Sequence, residues 1–412
     1  MGESINICVP IFNRATYARV RSIFVESMFD TEVKFTILAG SGLLDSKYGK
    51  AIDIIREELP HIKIYELDYT PERDNPERVN FISAEIQKSI ATHLISHKYD
   101  GGLVIADRFE TLPAAMALTY SGIPLMHLQG GEVTGNIDER VRHAVTKLSD
   151  YHFACTSLAK KYIIQMGEEQ NRVFFTGCPS LDAIKEFAIR RNTPDERYIM
   201  CIFHPDTENL DVQVEQTTAV LNAVLDYCAK YGCRCYWYWP NPDKGREKVL
   251  EVIEKAHKQN DMFLTKAVNL SPKDFLKQLS GAKVVIGNSS VGIRECSYIG
   301  VPAINIGDRQ SIRERSHNVL DVEPQWEQIL KGLEAQTAAK KYKRVYLFGD
   351  GDANKNIISH IKRFVWSKKG PITYPYQWEN KREHFEEERF KRHSSRQSGW
   401  RTQGKMASGR AI

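Results

Sequence analysis

No CxxC pair occurs in this sequence, although it carries eight cysteines, so the common zinc-ribbon and dithiol redox patterns are excluded. No apolar run approaches the ~20 residues needed to span a bilayer, so no membrane partner is expected. The chain passes from Met1–Ser4 directly into an apolar strand, without a basic start or a small-residue cleavage site, and no secretory leader is expected. An excess of one charge is also missing. A net charge of +5 over 412 residues is small, and it does not point to nucleic acid. Cys8, in the run 5–11, and Cys201, in the run 198–203, read as small buried hydrophobes kept as thiols, which fits a reducing, cytoplasmic setting.

What is present is an ordinary globular composition, 42% hydrophobic and 26% charged, at a length suited to two cores. Apolar runs at 5–11, 34–39, 62–67, 102–106, 124–128 and 151–155 alternate with stretches of helical periodicity such as 80–99 and 111–122. The rhythm restarts with runs at 198–203, 234–239, 263–265, 283–287 and 302–306, and with helical stretches near 212–231, 272–279 and 292–300. Repeated βα units predict an α/β fold of two Rossmann-like, doubly wound domains facing a cleft. The expected partition is 1–178 for the first domain and 179–365 for the second. Residues 366–412 form a basic tail, aromatic, charged and irregular at first and Ser/Gly/Arg/Lys-rich with little to bury over 394–412, expected to be partly disordered.

Ligands in such sheets sit beyond the carboxyl ends of the strands, and the polar residues there are the candidates. Asn288-Ser289-Ser290-Val291-Gly292 follows a strand and opens a predicted helix, whose free N–H groups and dipole suit a phosphate; Ser289 and Ser290 add hydroxyls. A simple N-cap is the other reading of the same serines. Glu295 is placed to accept hydrogen bonds from ribose hydroxyls. Arg309 follows the next strand, in a segment with Arg313 and Arg315 that suits a diphosphate or uracil site, or else a solvated face. Arg14 ends the first strand. His204 and the Pro240-Asn241 pair end strands of the second domain. The densest cluster joins Asp107, Arg108 and Glu110 to Gln129, Glu132, Asp138 and Glu139. Several carboxylates in one cleft can hold one another's pKa values apart, as acid–base chemistry needs.

These motifs together resemble the hydrolysing UDP-N-acetylglucosamine 2-epimerases of sialic-acid synthesis, including the epimerase domain of the animal bifunctional enzyme. The resemblance runs over residues 5–330 and rests on Asn13-Arg14-Ala15-Thr16-Tyr17, Asp107-Arg108-Phe109-Glu110, Gly130-Gly131-Glu132-Val133-Thr134-Gly135, Arg142-His143-Ala144-Val145-Thr146-Lys147-Leu148, His204-Pro205, Gly287-Asn288-Ser289-Ser290 and 306–310. It implies a glycosyltransferase-B fold and a homodimer or homotetramer, with UDP held by Ser289, Ser290, Glu295 and Arg309, Arg14 and Arg108 reaching across, His204 at the sugar–diphosphate and Asn241 among the substrate-binding residues. Asp107 and Asp138 match acids the family needs. The implied reaction eliminates UDP to a 2-acetamidoglucal and adds water with inversion at C2, giving N-acetylmannosamine and UDP, and it needs no metal or redox cofactor. The chain departs from the pattern at three places. Gln129 stands where well-known members have glutamate, and glutamine cannot be a general base, so either another group such as Asp107, Asp138 or Glu132 supplies the base or the activity or substrate has drifted. Ala18 replaces a serine, and Glu251 and Glu254 stand where the animal enzyme binds its feedback inhibitor with arginines. The alternatives are another UDP- or NDP-amino sugar, a non-hydrolysing 2-epimerase, and an inactive UDP-sugar-binding protein.

Overall fold

The apolar runs form two parallel sheets. The first contains β1 (Ile5–Ile11), β2 (Val33–Ala39), β3 (Lys63–Glu66), β4 (Gly101–Ile105), β5 (Leu125–Leu128), β6 (Tyr151–Ala154) and β7 (Val173–Phe175), in the order β3-β2-β1-β4-β5-β6-β7. The second contains β8 (Tyr198–Ile202), β9 (Arg234–Tyr238), β10 (Leu264–Ala267), β11 (Val285–Gly287), β12 (Ala303–Ile306) and β13 (Val319–Val322), in the order β10-β9-β8-β11-β12-β13. Every strand pair is parallel, with β1 between β2 and β4 and β8 between β9 and β11. This computed structural model describes residues 4–44, 51–68, 79–106, 108–134, 137–191, 197–204, 210–240, 246–267, 270–310, 312–338 and 342–364. Asp107, Asn241 and the tail 366–412 lie outside the described residues.

Parallel strands are covered by helices on both faces, so they must be apolar on both faces, and they are. All five residues of β4 and all four of β5 and β12 are buried. One face of the first sheet packs on the helix Arg14–Ser27 through Val20, Ile23 and Phe24; the other packs on Ile86, Ile90 and Leu118. The second sheet is filled by Val220, Val224 and Tyr227 from the helix Leu210–Tyr231 around Trp237. Among the described residues no helix is long and apolar enough to cross a membrane.

Two places depart from the sequence expectation. The helix Ala353–Arg363, assigned by sequence to the second domain, buries Ile357, Ile358 and Ile361 in the first core beside Val9 and Ile37. Its first turn is held by Asp182, whose carboxylate accepts the Ala353 and Asn354 N–H groups at 3.0 and 2.8 Å and the Ser22 hydroxyl at 2.9 Å. A strip of isoleucines at helical spacing says that a helix will be buried, not where. The second departure lies after β11. The helix expected over 292–300 is a 3₁₀ turn, Ser290–Gly292, followed by a helix of only five residues, Glu295–Ile299, ended by Gly300 at φ +89°. Ser, Val and Gly nucleate helix poorly, and Arg294, at φ −88° and ψ −70°, is tied by its side chain to another part of the molecule.

Candidate active site

In both sheets the chain changes direction beside the first strand, between β1 and β4 and between β8 and β11, which leaves a crevice at their carboxyl ends. The backbone there is strained. Ala106, after β4, and Gln129, after β5, have φ of +60° and +67°, a conformation that costs a non-glycine residue about 1 kcal/mol or more. Both are over-determined. Ala106 N–H donates to Leu128 O at 2.9 Å, and Gln129 N–H to Phe153 O at 3.0 Å. The buried His127 completes the brace. Its Nε2 donates to Ala106 O at 2.9 Å, which leaves Nδ1 to accept from the Thr146 hydroxyl at 3.1 Å. The strain turns the chain sharply after β4 and at the start of the loop that leads to Asp138.

That loop is fastened at several points. Gly131 has φ +76°, and a Cβ there would lie 2.3 Å from Ala159 O, so only glycine lets the loop lie on the helix Ser157–Gln165. The fully buried Arg142 donates to the main-chain oxygen of Glu132 and to Thr134 Oγ1. Thr134 N–H donates to Glu139 Oε2 at 2.7 Å. Asp138 thereby sits, half-buried, in the first turn of the helix Ile137–Leu148, whose N-terminal dipole favours an ionised carboxylate.

Glu132 does not present an open carboxylate. Arg294 Nη2 donates to its Oε1 and Oε2 at 2.7 and 2.6 Å, and Arg313 Nη2 lies 3.0 Å from Oε2. The role of general base assigned to it from the sequence is therefore poorly supported, since both oxygens are committed to cations. Gln129 is also engaged, and it is buried. Its Oε1 accepts from Arg19 Nη1 at 3.4 Å and its Nε2 donates to Cys178 Sγ at 3.5 Å. Cys178 lies 3.2 Å from the Ser180 hydroxyl, and a hydrogen bond from Cys155 holds its thiol below the ordinary value against burial, with help from the Arg294 charge. Arg108 pairs with Glu110 at 3.2 Å.

On the opposing sheet, Asn288 clamps the backbone of His204, accepting from its N–H at 2.8 Å and donating to its carbonyl at 2.9 Å. Arg309 Nη1 reaches Asn288 O at 3.4 Å. Ser289 Oγ accepts from Val291 N–H at 3.4 Å, so it caps the 3₁₀ turn. The dipole of a full helix, expected from sequence, is not available there. What the segment offers an anion is local N–H groups, hydroxyls and Arg309. Burial pushes His204 down to about 3, and the neighbouring Arg309 adds to the effect, so the imidazole is neutral. Burial pushes Glu295 up to about 7, and among the described residues its buried Oε2 has no hydrogen-bond partner, leaving an acceptor for a ligand hydroxyl. Arg14 comes from the first domain and donates to Leu270 O at 3.5 Å in the second.

The structure thus brings Arg14, Gln129, Glu132 and Asp138 to the carboxyl ends of one sheet and His204, Ser289, Ser290, Glu295 and Arg309 to those of the other. Residue-by-residue reading missed Arg19, Cys178 and Arg294. Arg19 lies in the same helix as Arg14, and Arg294 immediately precedes Glu295, so their positions beside singled-out residues were the available signal.

Two doubly wound parallel domains with a polar crevice between their carboxyl ends define a protein of the glycosyltransferase-B architecture. The same fold is seen in the UDP-GlcNAc 2-epimerase from Neisseria meningitidis bound to UDP-GlcNAc, with a TM-score of 0.70 at 18% identity over 87% of this chain and all of that one. Residues 30–362 match the UDP-N-acetylglucosamine 2-epimerase family model, and the chain belongs to that family. It is 30% identical to the UDP-N,N'-diacetylbacillosamine 2-epimerase (hydrolyzing) of Legionella pneumophila, over 85% of this chain and 93% of that protein. It is 28% identical to the UDP-N-acetylglucosamine 2-epimerase of Neisseria meningitidis serogroup B, over 66% and 71%.

Proposed function

We propose that this chain is a hydrolysing 2-epimerase of a UDP-2-acetamido sugar, with UDP-N-acetylglucosamine as substrate and N-acetylmannosamine and UDP as products. The observation that carries the reading is the division of labour between the two sheets. Arg309, Ser289, Ser290 and Glu295 lie on the second, Asp138 lies on the first, and Arg14 reaches across. The diphosphate leaves C1 with growing negative charge, which Arg309, Arg14 and Arg108 offset, while Glu295 takes the ribose hydroxyls. Asp138, or Asp107, the residue that follows Ala106 in the sequence, removes the weakly acidic C2 proton. Water then adds to the resulting glycal. A neutral His204 can donate a hydrogen bond to the diphosphate.

A second reading keeps the chemistry and changes the sugar to UDP-N,N'-diacetylbacillosamine. It is supported by the Legionella relative, which is named for that sugar and which this chain matches over 93% of its length. Incubating the protein with each nucleotide sugar in deuterated water and following the products by NMR separates the readings. The leading one requires free N-acetylmannosamine with deuterium at C2. An intact epimerised nucleotide sugar, or no turnover of either substrate, overturns the hydrolytic assignment.

Arg309→Ala should weaken UDP binding by about 1.5–3 kcal/mol, the range for a hydrogen bond to a charged group. Calorimetry checks this, and unchanged affinity would remove Arg309 from the nucleotide site.

His204 makes stability depend on pH. The unfolded chain protonates this histidine below its ordinary value of 6.5, whereas the folded protein resists protonation down to about 3. Its contribution is therefore fully present above pH 6.5 and is lost as pH falls from 6.5 to 3, by on the order of 5 kcal/mol. Acid titration of thermal stability should show a shallower loss for His204→Asn than for the natural protein. Identical slopes would show that His204 protonates freely in the fold.

A further inference from the structure

We propose that Glu132 is a latch that sets the register between the two half-sites; the proposal rests on reading the crevice as a UDP-sugar site. The carboxylate belongs to the first-domain loop between Gln129 and Asp138, and both cations that bind it come from the second domain. Arg294 is covalently next to Glu295, and Arg313 shares a segment with Arg309. One carboxylate thus grips the two segments that carry the nucleotide ligands. The side chains of Glu132, Arg294 and Arg313 are only 5%, 3% and 8% exposed. Arg142 in turn fixes the main chain of Glu132, so the grip is transmitted to the loop and not absorbed by it.

The charge balance makes this more than a stabilising contact. Arg294 and Arg313 both place an Nη2 on the same oxygen, Oε2, so two guanidinium groups of the second domain converge on one first-domain carboxylate. Removing that charge leaves two buried guanidinium groups of the second domain against a neutral first-domain loop, and moving the domains apart is the simplest way to solvate them. Buried ion pairs contribute little net stability compared with apolar packing, and their better-attested use is to select one arrangement over others. Most of the nucleotide ligands (Ser289, Ser290, Glu295 and Arg309) sit on the second domain, so UDP should still bind when the latch is broken. The acids of the first domain should lose their alignment with C2, and small misplacements of reacting groups are costly.

The test compares the full-length natural protein with Glu132→Gln, which keeps the volume, and with the milder Arg313→Gln, which leaves Glu132 paired to Arg294. Small-angle scattering of the ligand-free proteins should give a larger radius of gyration for Glu132→Gln and a smaller increase for Arg313→Gln. In turnover with the UDP-amino sugar, kcat should fall about 10²-fold for Glu132→Gln, with KM changed by no more than about threefold. Calorimetry should still find one UDP per chain. A radius and kcat that stay at the natural values, or a UDP stoichiometry that falls in step with kcat because part of the protein is unfolded, would overturn the latch. If the natural protein turns over no UDP-amino sugar, the functional reading has failed, and the scattering comparison still decides whether Glu132 holds the domains together.

Discussion

Asp138→Asn should lower hydrolysis of the UDP-amino sugar by about 10²-fold or more while UDP affinity stays near the natural value. The substitution preserves volume and leaves an amide that can still serve the first turn of the helix Ile137–Leu148, so the fold should be retained. What it removes is the only property a base needs, an ionised oxygen that can accept a proton. The same substitution at Asp107 tests the other candidate acid. Steady-state kinetics of both variants, with deuterium incorporation at C2 as the readout of the proton-transfer step, decide between them. Normal rates in both would sink the carboxylate mechanism. Gln129→Glu is expected to give no gain. In the natural protein the amide uses both its ends, accepting from Arg19 and donating to Cys178. A glutamate would lose the donor and set a carboxylate against a sulfur that hydrogen bonds and Arg294 already push toward the thiolate. A clear rise in hydrolysis would instead mean that the site lacks a base the glutamate supplies.

The largest effect on stability should come from Gly287→Ala. Gly287 ends β11 with φ +141°, and a Cβ there would lie 2.1 Å from Ile202 O, a backbone atom of the neighbouring strand that cannot step aside. The variant should lose about 3 kcal/mol or more, combining backbone strain with a forced separation of β8 and β11. Those strands present His204 and Asn288, whose mutual clamp depends on their spacing, so UDP binding should fall with stability. Thermal melts with and without UDP measure both. A variant that melts like the natural protein would show that this strand junction is softer than its geometry implies.

Much of the first layer of the site was legible because strand ends can be read from local pattern. A buried parallel strand is a short apolar run, and the polar residues that end it, Arg14, Gln129, His204 and Arg309, must lie at one edge of a sheet whatever its strand order. The short helix after β11 was not legible. Its length was settled by Arg294, whose side chain is held from another domain, and local propensity contains no trace of such a tether. Glu132 illustrates the same limit for chemistry. As one of several acids on a glycine-flanked loop it read as a candidate base, and only the approach of Arg294 and Arg313, more than 150 residues away (a separation of 162 for the first pair), turned it into a bound counter-ion.

By itself the sequence determined the alternation of strands and helices, the two-sheet architecture and the family motifs, because each depends on periodicity and residue type over short windows. Tertiary structure alone decided that the helix Ala353–Arg363 returns to the first core, that Ala106 and Gln129 adopt left-handed backbone at the crevice, and which charges pair across it. These features depend on atoms brought together by long-range packing. Their energies come from burial and Coulomb interaction between segments far apart in the chain, and residue identity alone does not say which of several arginines will reach a given carboxylate.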